Sequence, residues 1–229
     1  RDTFVQLEGP SVQQTQISFL EDWNWAMLKS GPSSLPCLCW EITPQREDET
    51  VLMLPSGPAD VIPAWKTAII ALANRARERL WIATPYFVPD EGVMAALQAA
   101  ALRNVDVRIL RPERADHILV KLSSFTFLRD LDTYGIQVWA YQKGFLHQKV
   151  ILMDDDIATV GTANLDNRSL ALNFEITAVI HSPAVCAEVK AMLEKDFASS
   201  KKESLEDYNN KSLGFKMLCN LARLMAPVQ

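Results

Sequence analysis

From residue 50 to residue 141 the chain alternates between two hydrophobic periods. Strand-length apolar runs at 50–54, 80–84, 105–110 and 136–141 are separated by helix-length segments at 62–77, 90–104 and 116–134. In the first helical segment Trp65, Ile69, Leu72 and Ala73 keep to one face. The second begins with Asp90 and Glu91, negative charge where the helix dipole favours it, and ends at Asn104. Gly135 suits the left-handed cap that closes the third. Strands that alternate with helices are joined by crossovers, which leave helices on both faces of a parallel sheet. The pattern therefore predicts an α/β fold, a mixed but largely parallel sheet flanked by helices on both faces.

Beyond residue 141 the rhythm changes. Runs at 149–153 and 157–160 are separated by Asp154, Asp155 and Asp156, which predicts a tight hairpin. A strand is expected at 174–180, and Pro183 opens a long helix to about residue 199. At the front, 4–7 reads as a strand, and Pro10 opens a helix with Phe19, Leu20, Trp23 and Trp25 on a broad apolar face. Gly31 and Pro32 stop it, and 31–49, rich in Pro, Ser and Glu without a period, reads as a linker. The tail, 201–229, carries Lys201, Lys202, Lys211, Lys216 and Arg223 against Glu203, Glu206 and Asp207. Leu213, Met217, Leu218, Leu221, Leu224 and Met225 give it a wide apolar face, suited either to packing on the domain or to an anionic membrane surface.

The polar residues that folding alone does not explain lie between Phe145 and Glu175. His147 and Lys149 are two apart on an extended run, so both point one way. Asp154 ends that run, and Thr162 and Asn164 follow the next strand. If the two strands pair, His147, Lys149, Thr162 and Asn164 converge at the sheet's edge. This set suits a phosphate ester: lysine supplies fixed positive charge, and threonine and asparagine supply neutral donors. An imidazole can attack phosphorus or protonate a leaving alkoxide. Glu175, on a later strand, is the candidate for holding the ring of His147. Tyr86, in the loop after the strand at 80–84, is a candidate lining residue, because α/β sites gather at such strand ends. Arg168 is a candidate phosphate contact, or else pairs with Asp166 to hold the loop.

Composition excludes other classes. The net charge of −5 argues against a general nucleic-acid binder, so no nucleic-acid partner is expected. Cys37 and Cys39 stand as C-x-C with no histidine near, and with Cys186 and Cys219 make four cysteines in 229 residues, so neither a zinc site nor a disulfide framework is expected. No apolar run reaches the about 18 residues of a membrane span, and no signal peptide is visible. The chain starts at Arg1 without a methionine, within what reads as a strand, so an N-terminal continuation is expected.

HQKVILMD, then GTANLDNRS and NFE, resemble the second HKD motif of the phospholipase D superfamily. RDTFVQLEGP, FLEDWNWA, RLWIATPYFVPDEGV and VDVRIL extend the resemblance to bacterial cardiolipin synthases over nearly the whole chain apart from 31–49. The resemblance implies a phosphatidyltransferase of phospholipid biosynthesis that joins two phosphatidylglycerols and releases glycerol through a phosphohistidine, without metal or cofactor. It implies His147 as a catalytic histidine, Lys149 and Asn164 on the phosphate, and Thr162 where relatives often have Ser or Gly. It implies Asp154 as a supporting motif residue and Glu175 as the holder of His147. It divides the chain into the tail of a first phospholipase D-like half (1–30), the linker (31–49), a catalytic domain (50–200) and the basic amphipathic segment (201–229). It places the enzyme at the bacterial inner membrane with this domain facing the cytoplasm. One departure stands out: the family carries two HKD motifs, and neither His117 nor His181 begins another. A second motif from another half or from a homodimer partner is therefore expected for activity. A homodimeric phosphodiesterase or nuclease and an inactive half remain as alternatives.

Overall fold

The computed structural model describes residues 1–28, 31, 37–41, 49–114 and 118–225. His117 and most of the linker expected at 31–49 lie outside them. In chain order the elements are α1 (Pro10–Leu28), β1 (Thr50–Ser56), α2 (Ala64–Arg75), β2 (Arg79–Ala83), β3 (Phe87–Val88), α3 (Glu91–Leu102), β4 (Asp106–Pro112), α4 (Ile118–Thr133), β5 (Gln137–Tyr141), β6 (Val150–Met153), β7 (Ile157–Gly161), β8 (Leu165–Asp166), α5 (Asn167–Ala171), β9 (Glu175–His181), α6 (Pro183–Ala198), β10 (Ser200–Lys202), α7 (Leu205–Asn209) and α8 (Leu213–Arg223).

Local chemistry places most boundaries where the pattern puts them. Asp90 caps α3 by accepting from the Val93 N–H at 2.9 Å, and Ser182 caps α6 through the Val185 N–H at 3.2 Å. Asn104 and Gly135, which follow α3 and α4, both have positive φ, at 65° and 75°.

The main sheet runs β1-β9-β7-β6-β2-β4-β5-β10, and β3 pairs with β8 in a separate two-stranded sheet. The α/β class holds, but the parallel character is narrower than the pattern predicts. Among the described residues, only β2–β4 and β4–β5 are parallel neighbours in the main sheet. The other five pairings are antiparallel. The pairings still leave β1, β2, β4 and β5 pointing one way, as crossovers require. A crossover fixes direction, not adjacency: the β6–β7 hairpin and its return strand β9 fill the positions between β1 and β2.

Strand alternation feeds a core on each face. Leu80 and Ile82 of β2 face α2, α3 and α4, where Trp65, Ile69, Leu97 and Leu131 are buried. Trp81 and Ala83 face α6, against Val189, Leu193 and Phe197. Outside these layers α8 lies on α4.

The strand expected at 4–7 does not form. Side-chain anchors hold this stretch instead: Arg1 pairs with Asp196 at 3.2 Å, and Thr3 donates to Gln148 Oε1 at 2.7 Å. Its alternation is still used, since Val5 and Leu7 pack on Met53, Ala178 and Ile180. Helix α1 buries only Ser11 of its described residues, and Trp25 rests on Phe174 with ring centroids 5.1 Å apart.

At the end of β7 the backbone of β9 comes too close for a side chain. A Cβ on Gly161 would meet the Thr177 hydroxyl, and it would lie 2.7 Å from both Ile176 O and Thr177 Cα. Gly161→Ala is expected to cost about 1–3 kcal/mol by overpacking. Urea unfolding followed by circular dichroism measures it, and an unchanged midpoint would contradict this reading of the β7–β9 contact.

Candidate active site

The strand directions collect the polar residues at one edge of the sheet. Ala83 at the end of β2 pairs with Val150 at the start of β6, and Val150 pairs with Val160 near the end of β7. Gly161 pairs with Thr177, and Ser56 at the end of β1 pairs with Glu175 at the start of β9. His147, Lys149, Thr162, Asn164, Glu175 and the Thr84–Pro85–Tyr86 turn therefore share that edge.

The ladder starts at Val150, so His147 and Lys149 lie just before β6 on irregular backbone. They still fall on one side. Lys149 Nζ sits 2.8 Å from His147 Nε2 and donates to His147 O at 2.7 Å. Between them Gln148 points the opposite way, buried, donating to Asp196 Oδ2 on α6 at 2.9 Å. The main chain is pinned from the front of the sequence, with the His147 N–H donating to Arg1 O at 2.8 Å. An ammonium has only donors, so Nε2 is the acceptor of that pair and the ring proton rests on Nδ1. Asp2 Oδ1 lies 3.4 Å from Nδ1, and the ring stacks on Phe145 at 5.8 Å between centroids.

Glu175 is placed elsewhere than on His147. Its Oε1 accepts from Ser169 Oγ and Asn173 Nδ2, each at 3.0 Å. The carboxylate beside the histidine is Asp2, which nothing local in the sequence points to. Thr162 Oγ1 accepts from the Ile176 N–H at 3.0 Å and so closes the turn onto β9. Asn164 is buried, its main-chain oxygen takes the Trp65 indole N–H at 3.4 Å, and its Oδ1 has no partner among the described residues. Tyr86 is half-buried, its carbonyl accepting from Thr84 Oγ1 at 2.9 Å.

Two further placements follow from backbone geometry. Asp154 lies at the opposite edge of the sheet, with φ 54° in the hairpin turn. Its carboxylate accepts from the backbone N–H of Arg77, Glu78 and Arg79 at 3.2, 2.8 and 3.0 Å, fastening the turn to the entry of β2. Asp166 does not pair with Arg168. It stands at the N-cap of α5, where its side chain reaches the Ser169 N–H at 2.7 Å, and this leaves Arg168 exposed. Burial pushes the Asp166 carboxyl above the usual carboxylate range, and the charge of Glu175 adds to the push. Hydrogen bonds from Ser169 and Asn164 pull against it.

Asp154→Ala is expected to cost about 2 kcal/mol, the worth of charge-assisted bonds to backbone, although Asp154 is remote from His147. Chemical denaturation checks this, and a neutral effect would contradict the fastening role. For Asp166 the raised folded-state value means that its stabilising contribution is full at low pH and shrinks as pH rises through that value. Asp166→Asn keeps a capping oxygen but cannot ionise. The wild type is therefore expected to lose stability relative to this variant as pH climbs from the carboxylate range to neutrality. Parallel pH profiles for the two proteins would contradict the assignment.

Residues 69–197 match the family described as cardiolipin synthase, PLD-like domain. Over its full length the chain is 45% identical to cardiolipin synthase A of Pseudomonas aeruginosa (strain LESB58), covering 46% of that protein. It is 44% identical to cardiolipin synthase A of Pseudomonas fluorescens, covering 47%. The chain thus spans about half the length of the curated relatives it matches. Among solved structures, phosphatidylserine synthase of Haemophilus influenzae superposes with a TM-score of 0.65 at 16% identity, over 91% of this chain and 53% of that one. Nuc of Salmonella typhimurium, a phospholipase D family member, superposes with a TM-score of 0.58 at 19% identity, over 68% and 99%. These two likenesses are of fold.

Proposed function

The chain belongs to the cardiolipin synthase, PLD-like domain family, and from that premise we propose that it carries one half of a phosphatidyltransferase site that works with a second HKD motif. The observation that carries this is the Lys149–His147 contact, with Nζ 2.8 Å from Nε2, at the edge that also holds Asn164, whose Nδ2 group can donate to a phosphate oxygen. Without substrate, Lys149 satisfies the histidine. A phosphate at this edge draws the ammonium to its oxygens and frees Nε2 for proton transfer.

The reaction balances as follows. The histidine of the other HKD motif, which this chain does not carry, attacks phosphorus of one phosphatidylglycerol, and the bond from phosphorus to the glycerol oxygen breaks. Once Lys149 turns to the phosphate, Nε2 of His147 takes a proton from water and gives it to that oxygen, and glycerol leaves. Neutral His147 then takes the proton of a hydroxyl on a second phosphatidylglycerol. That oxygen attacks phosphorus, the phosphorus–nitrogen bond breaks, and cardiolipin departs. Lys149 and Asn164 hold the phosphate throughout, Thr162 keeps its turn on β9, and Glu175 steadies the Ser169–Asn173 loop around them. Tyr86 and Arg168 flank the substrate path. The second motif comes from a partner half, as the twofold length of the relatives favours, or from a second copy of this chain. The substrate makes a membrane surface the place of work.

A chimera tests the reading. The 229 residues replace the matching half of the Pseudomonas aeruginosa relative, and phosphatidylglycerol vesicles are assayed by thin-layer chromatography. Cardiolipin is expected, falling about 10²–10⁴-fold in His147→Ala, the usual worth of a positioned proton donor. The 229-residue chain alone is expected to make none where a partner half supplies the other motif, and product from it alone would assign that motif to a second copy. A folded chimera without product, or product insensitive to His147→Ala, would contradict the proposal.

A further inference from the structure

Helix α8 has two apolar sides, and α4 covers one of them. Ser212 caps the helix through the Phe215 N–H at 3.2 Å. Phe215 meets Phe125 edge to face at 5.5 Å, and Cys219 and Ala222 are buried. Arg223 lies over the Phe127 ring at 4.8 Å and pairs with Asp130 at 3.3 Å. These contacts hold the helix in a fixed rotation. The other side presents Leu213, Met217, Leu218, Leu221, Leu224 and Met225 to solvent, Leu213 at 80% exposure and Leu224 at 74%. At 3.6 residues per turn these six span an arc of about 140°. A helix at the surface of a globular protein turns its apolar stripe to the core and its polar residues outward. A bare, contiguous apolar face of this kind marks a contact with something else.

Charge selects the occupant. From residue 210 to 229 the sequence contains Lys211, Lys216 and Arg223 and no acid, in a chain whose net charge is −5. Lys216 extends to Asn209 O at 2.7 Å, and Lys211 lies 6.0 Å from the Phe215 ring. Both cations therefore stand at the start of the helix that carries the bare face. A second copy docking face to face would bring like charges together with no acid on the segment to pair them. An anionic lipid surface meets both features at once, acyl chains against the leucines and methionines and phosphates against the lysines.

We infer that α8 is an interfacial anchor that lays its exposed face into the surface of an anionic bilayer. This rests on the phosphatidyl-transfer reading, which requires the site to meet a lipid headgroup. Because α8 packs on α4 of the catalytic domain, anchoring it holds the domain at the surface from which that headgroup is taken.

Co-sedimentation with vesicles decides it, using the 229-residue chain at low salt. Vesicles of equal parts phosphatidylglycerol and phosphatidylcholine are compared with phosphatidylcholine alone. The chain is expected to sediment with the anionic vesicles. The triple variant Met217→Ser, Leu221→Ser, Leu224→Ser is expected to bind at least about tenfold more weakly, and Lys211→Gln with Lys216→Gln about tenfold more weakly. Met217, Leu221 and Leu224 are exposed, and matching circular dichroism spectra and melting confirm that the variants fold. Undiminished binding by the triple variant, equal binding to phosphatidylcholine alone, or no binding by the parent would overturn the inference. So would a dimer in solution that the triple variant abolishes, since the occupant would then be a second copy. Vesicle binding that depends on α8 in a protein whose chimera makes no cardiolipin would leave the anchor standing and remove the transfer reading.

Discussion

The antiparallel pairing of β6 with β2, in the register Ala83 with Val150, is the contact on which the site depends. It brings the residues before β6 to the edge where β2 ends. The hairpin then brings β7 to that edge, and β9 returns from it. Because side chains alternate, a slip of one residue would turn Gln148 outward and point His147 and Lys149 at α6. Gln148 resists such a slip, since it bonds Asp196 in a buried position that neither His147 nor Lys149 could fill at the same cost. At the far end of β6, Asp154 fastens the hairpin to the backbone leading into β2. The register is thus held at both ends by polar contacts around an apolar strand.

Much of this was legible in the sequence. The periods at 50–141 predict four strands of one direction, and β1, β2, β4 and β5 share it. The three aspartates at 154–156 mark the hairpin, and HxK spacing predicts that His147 and Lys149 face one way. Strand order was not legible, because adjacency is decided by which sheet edge the later strands bury best, and no local period encodes that. The front segment misled for a related reason. Its alternation is real, and Val5 and Leu7 use it for packing, but side-chain anchors at Arg1 and Thr3 take the place of a ladder.

The polar partners around the site were legible only in part. That a carboxylate lies near His147 Nδ1 follows from chemistry, but its identity does not. Asp2, distant in sequence, lies there, while Glu175 serves the Ser169–Asn173 loop. Asp166 and Arg168 look like an ion pair by spacing, yet the residue before a helix start reaches the helix N–H groups more readily than a side chain two positions on. The aromatic and leucine-rich faces of α1 and α8 were visible as apolar patterns. Only the structure separates the side of α8 that α4 covers from the side that it leaves bare.

The central claim is that Lys149, His147 and Asn164 form one phosphate-binding unit at the sheet edge. The most direct measurement is nitrogen-15 NMR of the histidine rings during titration with orthovanadate, a phosphate mimic. The account predicts a saturable shift of the His147 ring that disappears in Lys149→Met and weakens in Asn164→Ala, while His181, paired with Asp156 at the end of β9, stays unmoved. Equal shifts of His147 and His181, or a His147 response that survives Lys149→Met, would contradict it.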